Sequence, residues 1–203
     1  KIAADAPTVK FVFVYGWALS LENVTAIIFQ EEQAGYLAGY AAVMDGNTKL
    51  GFEGGMAVPA VVAFGYGYLQ GIEAAATDLG LADGSVKVFY HYTGDFAETD
   101  ANKAVASAMA ASGAQVIFGC GGSVGKSVFA ATSEANIKSI GVDVNQKADS
   151  DTVITSAMKG LGASVEAVLD SIYTDKFDTY AGKTTYFTAA NDGVGLPDDF
   201  ERF

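Results

Sequence analysis

Short apolar runs alternate with helix-period segments along almost the whole chain. Residues 9–15 form an apolar run after Pro7 and residues 24–29 a second, each short enough for a buried strand. Glu31 and Glu32 open a helix to about residue 44, since carboxylates suit a helix N-terminus, and Asp45-Gly46-Asn47 ends it. A short strand at 50–53 leads to a helix from Pro59, whose fixed φ suits a first turn, to about residue 79. A strand at 86–92 follows. A helix at 98–112 then carries Ala101, Ala104, Val105, Ala108 and Met109 on one face. Residues 113–143 read as strand, glycine loop, helix, strand. A strand at 153–154, a helix at 157–174, a strand at 184–188 and a turn-rich segment at 191–197 complete the chain. The alternation predicts an α/β fold with a parallel sheet covered on both faces.

Composition narrows the function. The 203 residues suffice for one substantial domain or two lobes, and no apolar run reaches the roughly 18 residues a membrane span needs. A net charge of −12 argues against nucleic acid, whose phosphates need clustered Lys and Arg, and against an anionic membrane surface. Cys120 is the only cysteine, so no internal disulfide forms. His91 is the only histidine, which excludes a multi-histidine metal site and leaves one candidate for a His-based triad. Residues 1–7 look like the end of a helix.

The glycine loop allows two readings. Gly125-Lys126-Ser127 matches the second half of a phosphate-binding loop, but the first glycine should stand at Cys120. Gly119 comes one residue early and Gly121 one late. The alternative is that these strand ends floor a sugar or nucleoside cleft, because ligands bind at the carboxyl edge of an open parallel sheet. Asp143, closing Lys138-Ser-Ile-Gly-Val-Asp, could accept two hydroxyl bonds from a sugar diol, or could cap a turn with Asn145. Phe96 could stack on a planar ligand or plug the core under the next helix. Lys159 could donate to a ligand hydroxyl, or stand solvated at a helix start. His91 reads as a packed or surface residue. Gly35-x-x-x-Gly39 gives a small-residue face suited to close helix–sheet packing, and Tyr15 and Trp17 either line the ligand edge or lie on the surface.

Several ordered segments share one resemblance. They are Pro7-Thr-Val-Lys-Phe-Val, Phe29-Gln-Glu-Glu-Gln-Ala-Gly-Tyr-Leu-Ala-Gly, Gly51-Phe-Glu-Gly-Gly-Met-Ala-Val-Pro, Phe64-Gly-Tyr-Gly-Tyr-Leu-Gln-Gly and Tyr92-Thr-Gly-Asp-Phe. Gly113-Ala-Gln-Val-Ile-Phe, Gly121-Gly122, Ile140-Gly-Val-Asp-Val-Asn-Gln and Ile154-Thr-Ser-Ala-Met-Lys follow. Their order and spacing resemble the basic membrane protein family of bacterial substrate-binding lipoproteins. These serve ABC importers, and characterised members are purine nucleoside receptors.

The resemblance implies a type I periplasmic-binding-protein-like fold of two parallel-sheet lobes, the first incomplete. Residues 1–49 would form a partial N-terminal lobe, 50–155 the C-terminal lobe, and 156–203 a return segment crossing between lobes. It implies a non-enzymatic protein without cofactor or metal. A purine nucleoside, or another planar ring bearing a polyol, would bind between the lobes and be delivered to an ABC permease. Phe96 would stack on the base, Asp143 and Lys159 would hold the ribose hydroxyls, and the Gly121-Gly122 backbone would border the sugar. The implied location is extracytoplasmic, with a lipid anchor. The runner-up is an enzyme binding a nucleotide phosphate through residues 119–127, from Gly119 to Ser127.

The chain departs from the family's pattern. Tyr15 stands where members usually have aspartate. The first strand–helix units, with the other stacking aromatic and the base-reading Asp and Asn, have no counterpart, and neither does a helix after Phe203. Half of the aromatic sandwich around a base is therefore expected to be missing. The 203-residue chain should bind inosine and adenosine far more weakly than a complete member. Calorimetric titration checks this, and micromolar or tighter binding contradicts it.

Overall fold

The computed structural model describes residues 1–17 and 19–203. In chain order the elements are α1 (Ile2–Asp5), β1 (Phe11–Val14), β2 (Val24–Phe29), α2 (Glu31–Met44), β3 (Lys49–Gly54) and α3 (Pro59–Asp78). Then come β4 (Lys87–Tyr92), α4 (Asp100–Ala111), β5 (Val116–Cys120), α5 (Val124–Ala135), β6 (Lys138–Asp143), β7 (Val153–Lys159), α6 (Leu161–Tyr173), β8 (Thr184–Phe187) and β9 (Val194–Gly195). No helix among the described residues is long and apolar enough to cross a membrane.

The chain divides into two compact units. One comprises Lys1–Gln30 and Lys159–Val194, the other Glu31–Met158 and Gly195–Phe203. The smaller holds a parallel three-stranded sheet in the order β1-β2-β8. β2 is its core strand, with Val24, Ala26 and Ile27 fully buried. Asn23, also buried, ties the chain start to it by donating its side-chain amide to the carbonyls of Ala3, Ala6 and Val9 at 2.8, 3.0 and 3.0 Å. β1 was expected to be buried. Instead Val12, Phe13 and Val14 are exposed, because among the described residues β1 pairs on one side only.

The larger unit holds a six-stranded sheet in the order β4-β3-β5-β6-β7-β9. Helices cover both of its faces. Phe52 and Phe118 point to the α3 side, where their rings meet Tyr68 at 6.3 and 5.3 Å. On the other face Gly51 lies beneath Met109 of α4 and Gly119 beneath Val128 of α5. The chain end is strapped to this unit by Arg202. Its guanidinium donates to the carbonyls of Lys147, Ser150 and Val153 at 3.0, 2.9 and 3.1 Å.

Three expectations need correcting. The unit boundary falls at Gln30, not at residue 49, because α2 packs on α3 rather than with β1 and β2. The small-residue face of α2 therefore makes helix–helix contact, not helix–sheet contact. A Cβ on Gly35 would stand 2.1 Å from the Phe64 carbonyl oxygen, and one on Gly67 would stand 1.9 Å from that of Glu32. The second crossing likewise falls at Lys159, not near residue 155. β7 runs on to Lys159 and α6 begins only at Leu161, so Lys159 ends a strand instead of starting a helix.

The close approach of α2 and α3 has a measurable consequence. Gly67→Ala should lower stability by about 2 kcal/mol, since overpacking against a backbone carbonyl outweighs the helix-propensity gain of about 1 kcal/mol. Gly125→Ala in α5, whose nearest obstacle is 3.7 Å from the added carbon, should leave stability unchanged or raise it. Urea unfolding of the two variants checks the contrast.

Candidate functional site

The strand order fixes where a ligand can enter the larger unit. From β3 the chain passes through α3 to β4 on one side, whereas from β5 it passes through α5 to β6 on the other. Neighbouring connections that leave in opposite directions open a crevice at the carboxyl ends of β3 and β5. The two ends are stitched together there, for the Gly55 N–H donates to the Cys120 carbonyl at 2.8 Å, and the end of β4 is tied to β3 by the Thr93 N–H, which donates to the Gly54 carbonyl at 2.8 Å.

Phe96 sits at this crevice, half-buried, in the connection between β4 and α4. A Cβ on Gly55 would stand 2.4 Å from its Cδ1, one on Gly121 3.2 Å from the same atom, and one on Gly122 3.0 Å from its Cβ. Gly121 and Gly122 have φ of 131° and 53°, conformations that glycine adopts without strain. The structure thus brings three of the expected site residues, Phe96, Gly121 and Gly122, into one cluster and adds Gly55, which local pattern did not single out.

Asp143 closes β6 on the same edge, with φ of 69°, and pairs in register with Met158. Its turn is shaped by Gln146 more than by Asn145. Gln146 Oε1 accepts the Val142 N–H at 2.8 Å, and the Gln146 N–H donates to Ser156 Oγ at 3.0 Å. Asn145 only accepts the Lys147 N–H, at 3.1 Å. Lys159 is counted in the smaller unit, where its ammonium donates to the Tyr15 hydroxyl and lies 4.8 Å from the centre of that ring. Tyr15 adopts a left-handed conformation, φ 64°, and its ring also packs against Phe29, centroids 5.8 Å apart. Trp17 is exposed.

The phosphate-loop reading does not survive the geometry. The Ser127 hydroxyl, which such a loop turns toward a metal-bound phosphate, is buried and bonded instead to Thr99, accepting its N–H at 3.1 Å and donating to its carbonyl at 3.2 Å. The Ser123 N–H is taken by the Phe96 carbonyl at 2.9 Å. Lys126 lines a surface depression with Glu98, Phe129 and Asp149. Among the described residues no cluster of His, Cys, Asp and Glu could hold a metal ion.

The profile of the Bmp family, described as ABC transporter substrate-binding protein PnrA-like, matches residues 1–203. The chain belongs to this family. The fold is that of type I periplasmic-binding proteins, and the family's members bind substrates for transporters; they are not enzymes. Among curated relatives, the ABC transporter nucleoside-binding protein BmpA of Lactococcus lactis is 31% identical over 96% of this chain. Basic membrane protein B of Borreliella burgdorferi is 28% identical over 97%. A solved ABC transporter solute-binding protein of Aeropyrum pernix superposes with a TM-score of 0.81 at 25% identity. That match covers 97% of this chain and 56% of that one. The chain spans 58% of the length of each of the two curated relatives.

One residue of this Bmp-family chain stands out electrostatically beside the site. Glu53, the residue before Gly54, is fully buried, and neither carboxyl oxygen has a hydrogen-bond partner among the described residues. Its signal in the sequence is a lone acid inside the strand Leu50-Gly-Phe-Glu. Burial pushes its pKa up from 4.5 to about 8, because a charged carboxylate loses its hydration there. The folded chain therefore holds this proton more tightly than the unfolded chain. The resulting stability is fully present below pH 4.5 and is lost as pH rises to about 8. Within that window stability should fall by roughly 1.4 kcal/mol per pH unit from this group alone. Glu53→Gln should flatten the slope. Urea midpoints for both proteins across the window check this, and an equal slope in the variant contradicts it.

Proposed function

We propose that the chain is the ligand-binding part of an extracytoplasmic solute receptor that hands a purine nucleoside, or a similar ring-bearing polyol, to an ABC permease. The observation that carries the reading is Phe96, half-buried on the glycines that end β3 and β5, at the point where the strand connections reverse. A flat aromatic ring at the mouth of such a crevice suits stacking on a planar base. Asp143, at the end of the next strand, suits a pair of sugar hydroxyls, since an ionised carboxylate only accepts hydrogen bonds. The Gly121-Gly122 backbone borders the sugar. Lys159, at the end of β7, would donate to a ligand hydroxyl. The name of the Lactococcus relative, a nucleoside-binding protein, supports the same ligand class.

Binding is recognition without chemistry. The ring supplies stacking, the carboxylate supplies direction, and the glycines let the ligand approach the backbone. The test is a titration of isotope-labelled chain with inosine at millimolar concentration, read by amide chemical shifts. Ring-current shifts are expected at Gly55, Phe96, Gly121 and Gly122, with smaller ones at Asp143. Phe96→Ala should weaken inosine binding about tenfold, the worth of one lost base–aromatic stack. Shifts confined to other surfaces, or unaltered affinity in the variant, would sink the assignment.

A further inference from the structure

Phe96 stands in residues 93–99, a stretch without helix or strand, so its place depends on side chains that substitute for ladder bonds. The Thr93 hydroxyl donates to the Asp95 carbonyl at 3.1 Å, and two further brackets surround Phe96 itself. In the first, Asp95 Oδ1 accepts the Ala97 N–H at 2.9 Å and Asn102 Nδ2 at 3.0 Å. The same amide nitrogen also donates to the Ala97 carbonyl at 3.0 Å. Asn102 thereby ties together the residues on either side of Phe96. It is 5% exposed, so water could not readily replace it. In the second bracket, Thr99 caps α4 by accepting the Asn102 N–H at 3.1 Å, and its own N–H and carbonyl are both held by Ser127 of α5. Phe96 contributes its carbonyl to the Ser123 N–H between the two.

We propose that Asn102, acting through Asp95 and Ala97, is a positioning residue that sets how Phe96 is presented to the ligand. Asn102 belongs to the first turn of α4 and lies outside the apolar face read from the sequence. Removing its amide leaves the Asp95 carboxylate and the Ala97 carbonyl each short of a donor, while the glycine seat under the ring stays intact. Stacking depends on ring orientation, so the loss acts on a ligand that carries a planar ring and spares one that is only a sugar. The inference rests on the reading of Phe96 as the stacking residue.

Amide hydrogen exchange measured by NMR on the 203-residue chain tests the positioning without any ligand. In Asn102→Ala the Ala97 and Ser123 amides should exchange about tenfold faster, with Ile140 and Val142 in β6 unchanged. Unaltered exchange at Ala97 and Ser123 overturns the proposal. If Asn102→Ala speeds exchange in β6 as well, Asp95→Ala, on the half-buried loop, decides. A local effect there supports the bracket, and none overturns it. With ligand, Asn102→Ala should weaken inosine about tenfold, leave D-ribose alone unaffected, and add nothing in the Phe96→Ala background. Additive losses overturn the proposal. A wild-type chain that gives no response to inosine refutes the proposed function, whereas the exchange rates still decide the role of Asn102.

Discussion

The hydrogen bond from the Gly55 N–H to the Cys120 carbonyl joins the ends of two strands whose onward connections leave in opposite directions. The candidate site depends on that junction. It requires backbone without side chains after β3 and after β5, and the space so freed is filled by Phe96 from a third connection. The glycines therefore have a task of their own in this chain, for they seat the aromatic ring. A side chain at Gly55 or Gly121 would displace Phe96 before it met any ligand, so ring and cradle act as one unit.

A similar economy of side chains governs the two helices on one face of the sheet. Gly35 and Gly39 of α2 face the carbonyls of Phe64 and Tyr68 in α3, with residue numbers rising together, so the helices run in the same direction and touch at backbone distance. Each glycine costs helix propensity, on the order of 1 kcal/mol. The return is an approach that assigns α2 to the larger unit. Beneath the opposite face the chain tolerates a buried acid, Glu53, held protonated by its surroundings near neutral pH. A full charge there would be far more costly to bury.

Lys159, the last residue of β7, is counted in the smaller unit and meets Tyr15 there. An aromatic hydroxyl and ring can hold an ammonium by a hydrogen bond and a cation–π contact, without cancelling its charge.

The sequence by itself determined the alternation of strands and helices, most of their limits and the family, because hydrophobic period, capping acids and turn glycines act within a few residues. It also placed Phe96, Gly121, Gly122 and Asp143 at strand ends, where local punctuation is strongest. Only the tertiary structure decided that Gly121 and Gly122 lie under Phe96, that Ser127 is committed to Thr99, and that α2 belongs with α3. Those are contacts between segments far apart in the chain, and no local pattern encodes which distant carbonyl or ring a given glycine will meet. The extension of β7 to Lys159 was hidden for the same reason. Ser156, Ala157 and Met158 are ordinary helix residues in isolation, and they become strand because β6 supplies the ladder partners in register.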